Sequence, residues 1–310
     1  MVNYSFIIPH HNIPILLNRC LDSIPVREDV QVIVVDDNSD EDKKPKVLRP
    51  STEVIFIDSN SSNGAGKARN VGLNSAIGKW VLFADADDFF VDDIINILDC
   101  YKERNEDIVY FNFKRCENDD TNIILPGDND ALFSYCKRLN DYRYFRVCFS
   151  SPWAKMFKNN HIKNNKIEFQ ELKANNDTLF VVKSGLAAKS ILAVNRNIYW
   201  YVQRMGSIAH NAGVEAFSKV LDRAIAQNSV QGLLAEYEIK TRIYLPTLIS
   251  MSLLKHNFLL SFKLCRLARL NVMRFYIDAI KYILLRMKGC SSLQGPNNYN
   301  MSRCVLPNDL

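Results

Sequence analysis

An α/β fold, a mostly parallel sheet flanked by helices with a helical appendage toward the C-terminal end, is what this sequence predicts. Three observations carry that prediction. Short apolar runs alternate with amphipathic ones through the first 115 residues, the connections between them are short, and polar or acidic groups gather just after the apolar runs. At 310 residues, 47% hydrophobic and 11% aromatic, the chain fills one α/β domain with a smaller appended region.

Taken in order, "YSFIIP" and "VQVIVVDD" read as short buried strands with "ILLNRCLDSI" as a helix between them. "EVIFID" is a third strand, "AGKARNVGLNSAIG" a second helix and "KWVLFAD" a fourth strand. A helix from about Asp92 to Glu103, with Asp92 and Asp93 able to cap it, leads into "DIVYFNF". Sheets of this kind bind ligands beyond the carboxyl ends of their strands. Pro9–Asn12, Asp36–Ser39 and Asp85–Asp88 all fall there. From about residue 116 to 212 the pattern is less regular, with strand signals at "SILAVN" and "IYWYVQR". From Val214 it is helical to about Lys288, and the Gly, Ser, Asn and Pro of residues 291–310 read as a disordered tail.

The net charge of +5 is concentrated. Residues 251–290 carry eight Lys or Arg and one acid, a local +7 that leaves about −2 elsewhere. That excludes a general nucleic-acid binder. Eight cysteines without a CxxC pair fit reduced, packed thiols in a cytoplasmic protein. No signal peptide is visible: the start is not basic, and Pro9 and Pro14 break the early apolar run.

The stretch "WVLFADADDFF" ends an apolar strand with three carboxylates in four positions. Crowded like charges destabilise one another unless a cation sits among them. In an extended segment Asp85 and Asp87 point to one side, so both can converge on a hard cation such as Mg²⁺ or Mn²⁺. The alternative is a solvated, acid-rich turn. "NGAGKARN" fails as a phosphate loop, because Ser61 stands where a Gly is needed and Ala68 where Ser or Thr is needed. It also fails as a dinucleotide fingerprint, because Arg69 replaces the third Gly. What remains is a helix start with two cations, Lys67 and Arg69, which either faces a diphosphate or is simply solvated.

In their order, "SFIIPHHN", "VIVVDDNSDE" and "GAGKARNVGLNSAIGKWVLFADADD" resemble the family 2 glycosyltransferases of GT-A fold, closely over residues 3 to 113. The likeness continues more loosely at "WAKMFK", "NNDTLF" and "YVQRMGSI". The resemblance implies a division into a nucleotide-sugar-binding half (1–115), an acceptor-binding half (116–215), a basic helical region (216–290) and the tail. It places Pro9 and Asp37 at the nucleotide base, with Asn12 grouped among the donor-binding residues. Arg69 matches a cation near base or diphosphate. Asp85 and Asp87 match an Asp-x-Asp metal pair, Asp87 as the ligand and Asp85 also near the ribose. Asp88 matches a third acid facing donor sugar or acceptor, and Asp177 matches the general base. Asn176 stands where the family commonly has Glu, and His10-His11 where an aromatic and a small residue are usual.

The implied activity is inverting, metal-dependent transfer from a nucleoside-diphosphate sugar, UDP-sugar first, to a hydroxyl of a glycan or lipid-linked acceptor in bacterial surface-polysaccharide synthesis. A sugar-phosphate nucleotidyltransferase and a silent nucleotide-binding partner subunit are the alternatives. Asp177 has a second reading as a helix N-cap, His10 and His11 as satisfied loop residues, and Trp153 as core; Trp153 and Lys155 could instead shape the acceptor site. His210 could approach the metal.

The segment around Lys263, Arg274, Lys281 and Lys288 repeats its cations at spacings of 11, 7 and 7. It reads either as an appendage packing its apolar face on the catalytic domain or as a peripheral contact with an anionic inner-face membrane. It is too charged to span a bilayer.

Overall fold

The computed structural model describes residues 1–58, 64–204, 217–239 and 306. The cations Lys263, Arg274, Lys281 and Lys288, the tail apart from Leu306, and His210 lie outside them. The chain forms two units, Met1–Gly213 and Val214–Leu310. In the first, β1 (Tyr4–His10), α1 (Pro14–Asp22), β2 (Val30–Asp36) and β3 (Thr52–Phe56) are followed by α2 (Ala65–Ser75) and β4 (Trp80–Phe83). Then come β5 (Phe89–Phe90), α3 (Ile94–Asp99), β6 (Ile108–Glu117), β7 (Asp120–Leu125) and α4 (Asp130–Leu139). The unit continues with α5 (Phe145–Cys148), β8 (Lys155–Lys158), α6 (Asn159–Asn164), α7 (Thr178–Ala187) and β9 (Ile191–Gln203). Of the second unit, helix α8 (Phe217–Glu236) is described.

Among the described residues one nine-stranded sheet runs β3-β2-β1-β4-β8-β6-β9-β5, with β7 added to β6. The first four strands are parallel, as expected, and β6 and β9 are parallel too, whereas β8 is antiparallel to both its neighbours. All seven residues of β1 are buried, which is why it reads as one apolar run rather than an alternation. Pro9 is tolerated in so central a strand because of where its missing N–H would point. Ile7 O accepts from Ala84 N, so Pro9, two residues on, faces the same side, where the pairing with β4 has ended. Pro14 opens α1, where its fixed φ suits the first turn, and Leu17, Cys20 and Leu21 bury one face. Gly72 lets α2 lie directly on β1: a Cβ there would sit 2.4 Å from Ile7 Cγ2.

Two local expectations are corrected. The helix expected over Asp92–Glu103 is only Ile94–Asp99. Past Cys100 the chain continues in turns, and the Lys102 carbonyl goes to the Trp80 indole, 2.9 Å away. Asp93 occupies the N-cap position without capping, its oxygens taken instead by the side chains of Asn96 and Arg196. The signals "SILAVN" and "IYWYVQR" are a single strand, β9, whose register against β6 slips between Phe111 and Asn112 and again between Asn112 and Phe113. Phe111 faces Val194 and Phe113 faces Tyr199, so three residues of β9 are bulged out. The odd number puts Val194 and Tyr199 on one face, where strict alternation would oppose them. The described cysteines, Cys20, Cys100, Cys116, Cys136 and Cys148, are free thiols. No helix among the described residues is long and apolar enough to cross a membrane.

Candidate active site

The carboxyl ends of β1, β2 and β4 lie side by side, and the residues just past each strand build one wall of the site. After β1, His10 is buried. Its Nε2 accepts from Ile13 N–H at 3.2 Å, which assigns the proton to Nδ1, and that N–H donates to Asp36 at 2.7 Å. Burial holds this imidazole below the usual histidine range despite Asp36. His11 Nδ1 donates to the Asp37 carbonyl at 2.9 Å. His10 therefore has the satisfied role that the sequence allowed. Asn12, with φ of 59°, staples the first two loops together. Its N–H donates to Ser39 Oγ at 2.9 Å, and its Oδ1 accepts from Asp40 N–H at 2.8 Å.

Asp37, after β2, is buried and half used. Oδ2 accepts from Gly64 N–H at 2.9 Å, while buried Oδ1 has no partner among the described residues. An orphaned carboxylate oxygen is a ready acceptor for a ligand N–H. Asp36 is occupied by His10 and Ser39.

The start of α2 neither lies open to solvent nor cradles phosphate with its glycine. A Cβ on Gly66 would meet Gln170 O at 2.1 Å and Asn176 Cβ at 2.9 Å, so the glycine admits the segment leading into α7. Asn70 binds the Phe169 backbone both ways, at 3.0 and 2.8 Å, as a paired strand would. Lys67 pairs with Glu171 at 2.9 Å. Arg69 is buried over the Phe169 ring and splits its guanidinium between Asn176 Oδ1 at 3.0 Å and Asp85 Oδ1 at 2.5 Å. The segment rests on a stack of Phe169 and Phe180, rings 3.8 Å apart, with Phe83 edge-on to both.

The acidic turn after β4 is the centre of the site. Asp85 has Arg69 on one oxygen, and Asp87 has Arg204 on one oxygen at 2.9 and 3.2 Å. Arg19, from α1, donates to the Asp87 carbonyl from beneath. Burial raises Asp85 above the usual carboxylate range, Arg69 opposes the rise, and Asp87 and Asp177 add to it. The fields of three acids thus converge. Asp88 turns away from them into the interior, with both oxygens committed to β9: Tyr199 Oη donates at 2.8 Å and Val202 N–H at 2.8 Å.

Asp177 sits at the N-cap position of α7, but its side chain makes no capping bond; among the described residues its side chain accepts one hydrogen bond, from the Thr178 hydroxyl at 3.4 Å. The capping reading leaves that carboxylate unexplained. Lys155 and Trp153 are both buried. Lys155 Nζ lies 3.1 Å from the centre of the Phe149 ring and donates to Ser151 O, and burial holds it well below the usual lysine range. Trp153 stacks on Tyr199.

Among the described residues no group of three or more His, Cys, Asp or Glu is set to hold an ion. The donors present fit a two-carboxylate site: Asp85 and Asp87 each keep one oxygen that no hydrogen bond occupies among those residues. Mg²⁺ or Mn²⁺ commonly takes one or two carboxylates and completes its shell with phosphate oxygens and water. The structure thus brings Asp85, Asp87, Arg69 and Asp177 together, sets Pro9, Asn12 and Asp37 in the neighbouring wall, and withdraws Asp88. Tyr199, Arg204 and Arg19 were not singled out from sequence. The available signal was weak: a tyrosine in a buried aromatic strand needs a partner for its hydroxyl.

The sequence model described as "Glycosyl transferase family 2" matches residues 5–165. Glycosyltransferase GlyA of Streptococcus pneumoniae is 27% identical over 224 residues, 66% of this chain and 31% of that protein. The poly(ribitol-phosphate) beta-glucosyltransferase of Bacillus spizizenii is 29% identical over 213 residues, 65% of this chain and 32% of its own. The chain therefore spans about a third of the length of these two curated relatives. Among solved structures, Staphylococcus aureus TarS 1-349 in complex with UDP-GlcNAc is similar with a TM-score of 0.56 at 25% identity, covering 74% of this chain and 66% of that one.

Proposed function

The chain belongs to glycosyl transferase family 2, and from that premise we propose that it moves a sugar from a nucleoside-diphosphate sugar to a hydroxyl of a glycan or lipid-linked acceptor, in the synthesis of a bacterial surface polysaccharide. A uridine diphosphate sugar is the donor of first choice, supported by the UDP-GlcNAc held by the similar TarS structure. The observation that carries the reading is Asp177, an acid at a helix start that does no capping and whose charge reaches Asp85.

In this reading Asp37 and Pro9 take the base and Arg69 orients the donor beside Asp85. A divalent cation bound by Asp85 and Asp87, when present, offsets charge growing on the departing diphosphate. Asp177 accepts the acceptor's hydroxyl proton as the oxygen attacks the anomeric carbon. The new carbon–oxygen bond forms as the carbon–phosphate-oxygen bond breaks, and attack from the opposite face inverts the anomeric centre.

The test is release of UDP from UDP-sugars with and without acceptor, with Mn²⁺ or with excess chelator, for the native protein and Asp87→Ala. Loss of turnover in chelator and in Asp87→Ala, with the fold intact, is the expected result. Full turnover in excess chelator overturns the metal role, and nucleotide binding without any release of UDP overturns catalysis.

A further inference from the structure

The acidic turn is fastened from the side away from α2. Tyr199 Oη accepts from Asp85 N–H at 2.9 Å and donates to Asp88 Oδ2 at 2.8 Å. The other oxygen of Asp88 accepts from Val202 N–H at 2.8 Å, and Asp88 N–H donates back to Asp85 O at 3.0 Å. Asp87, in the middle, is thus bracketed on both sides by residues bonded to β9.

The fastening is rigid because its own parts are packed. Tyr199 is 0% exposed. Its ring stacks on Trp153 at 5.1 Å with 10° between planes, and meets Phe90 edge-on at 5.2 Å. Trp153 is held in turn by Phe113, 4.5 Å away. The bulges in β9 are what deliver Tyr199 to this face. Two like-charged carboxylates one residue apart repel, and an unrestrained turn relaxes by spreading them. Bonds to the residues flanking Asp87 oppose that spreading.

We infer that Tyr199 and Asp88 are positioning residues that hold Asp85 and Asp87 at the separation a divalent cation and its diphosphate require, and that Asp88 takes no proton in the reaction. This rests on the transfer reading above. Asp88 is badly placed for base work: it is buried, and both of its oxygens are turned to β9, each accepting a hydrogen bond there.

Tyr199→Phe removes a single oxygen and keeps the ring stack, and Asp88→Asn keeps an acceptor for Val202 should the first variant fold poorly. In metal-free, nucleotide-free protein, amide hydrogen exchange of residues 84–88 is expected to quicken by about tenfold in Tyr199→Phe, the size of one lost buried hydrogen bond. Mn²⁺ affinity in the presence of UDP, read by electron paramagnetic resonance of free Mn²⁺, is expected to fall by about the same factor. Raised Mn²⁺ should then restore most turnover in both variants. Unchanged exchange and unchanged Mn²⁺ affinity in Tyr199→Phe overturn the positioning role and leave the transfer reading standing. Asp88→Asn without turnover at any Mn²⁺ concentration overturns the assignment for Asp88. A native protein that neither binds Mn²⁺ nor transfers sugar overturns both the transfer reading and the inference built on it.

Discussion

Arg69 and Asn176 meet through Nη1 and Oδ1 at 3.0 Å, and the same guanidinium holds Asp85. Asn176 Nδ2 also donates to Leu172 O at 3.0 Å. An amide performs both tasks, whereas a carboxylate has no hydrogen for Leu172. Asn176→Asp is therefore expected to lower stability by about 1–3 kcal/mol, the cost of leaving a buried group unpaired. Urea denaturation measures it, and an unchanged midpoint would show that the segment tolerates a second anion at Arg69.

Asp177 offers a clean separation of structure from chemistry. Asp177→Asn should reduce turnover by roughly a hundredfold or more with donor binding little changed. Because its side chain makes no capping bond, Asp177→Ala should leave stability within about 0.5 kcal/mol. A loss of about 1 kcal/mol would instead match a working N-cap. Steady-state kinetics and chemical denaturation on the same preparations decide it.

Gly66→Ala is expected to cost about 1–3 kcal/mol as overpacking and to lower turnover as well. The added carbon would meet the Gln170 carbonyl, a backbone atom that can move only by shifting the segment that carries Asn176 and Asp177. Thermal melts and kinetics of the variant should fall together.

Stability should decline as pH falls below about 6.5, the ordinary histidine value. Burial lowers the native pKa of both His10 and His161. His161 Nε2 donates to Ser184 O at 3.0 Å and Nδ1 accepts from Asn165, so a second ring proton has no place. The unfolded chain takes protons that the native state refuses. The stability present above the unfolded pKa is thus lost as pH drops toward the native ones, by up to about 1.4 kcal/mol per pH unit for each ring. Urea midpoints at pH 7.5, 6.5 and 5.5 should show the decline, with a shallower slope for His161→Gln.

The cations at Lys263, Arg274, Lys281 and Lys288 should give reversible, salt-sensitive binding to anionic vesicles, lost on truncation after Gly232. Absence of cosedimentation at low salt would favour a packing role for that segment.

How much the sequence made legible depends on how local each signal is. β1, β2 and β4 are buried almost throughout, so each appears as a nearly continuous apolar run, and the acids after them stand out by contrast. The part played by Tyr199 was hidden because the bulges that aim it break the two-residue alternation. Asp88 carried the same local signature as Asp85, and bonds to residues 111 and 114 positions away separate their fates. The packing role of Gly66 was hidden because nothing nearby in sequence announces the Gln170 carbonyl above it.

The two-way bond between Asn70 and Phe169 spans 99 positions, and that between Arg69 and Asn176 spans 107. Both must wait until the later segment has been synthesised. The parallel strands β3, β2, β1 and β4 precede it and can assemble early, whereas closing a loop of that length costs entropy before any contact rewards it. The unfinished polypeptide on the ribosome thus possesses the acidic turn well before it acquires the acid opposite. Until Phe169 arrives, Arg69 has neither the ring beneath it nor the amide beside it. The surroundings of Arg69 are therefore completed late, when residues 169–177 settle on the start of α2.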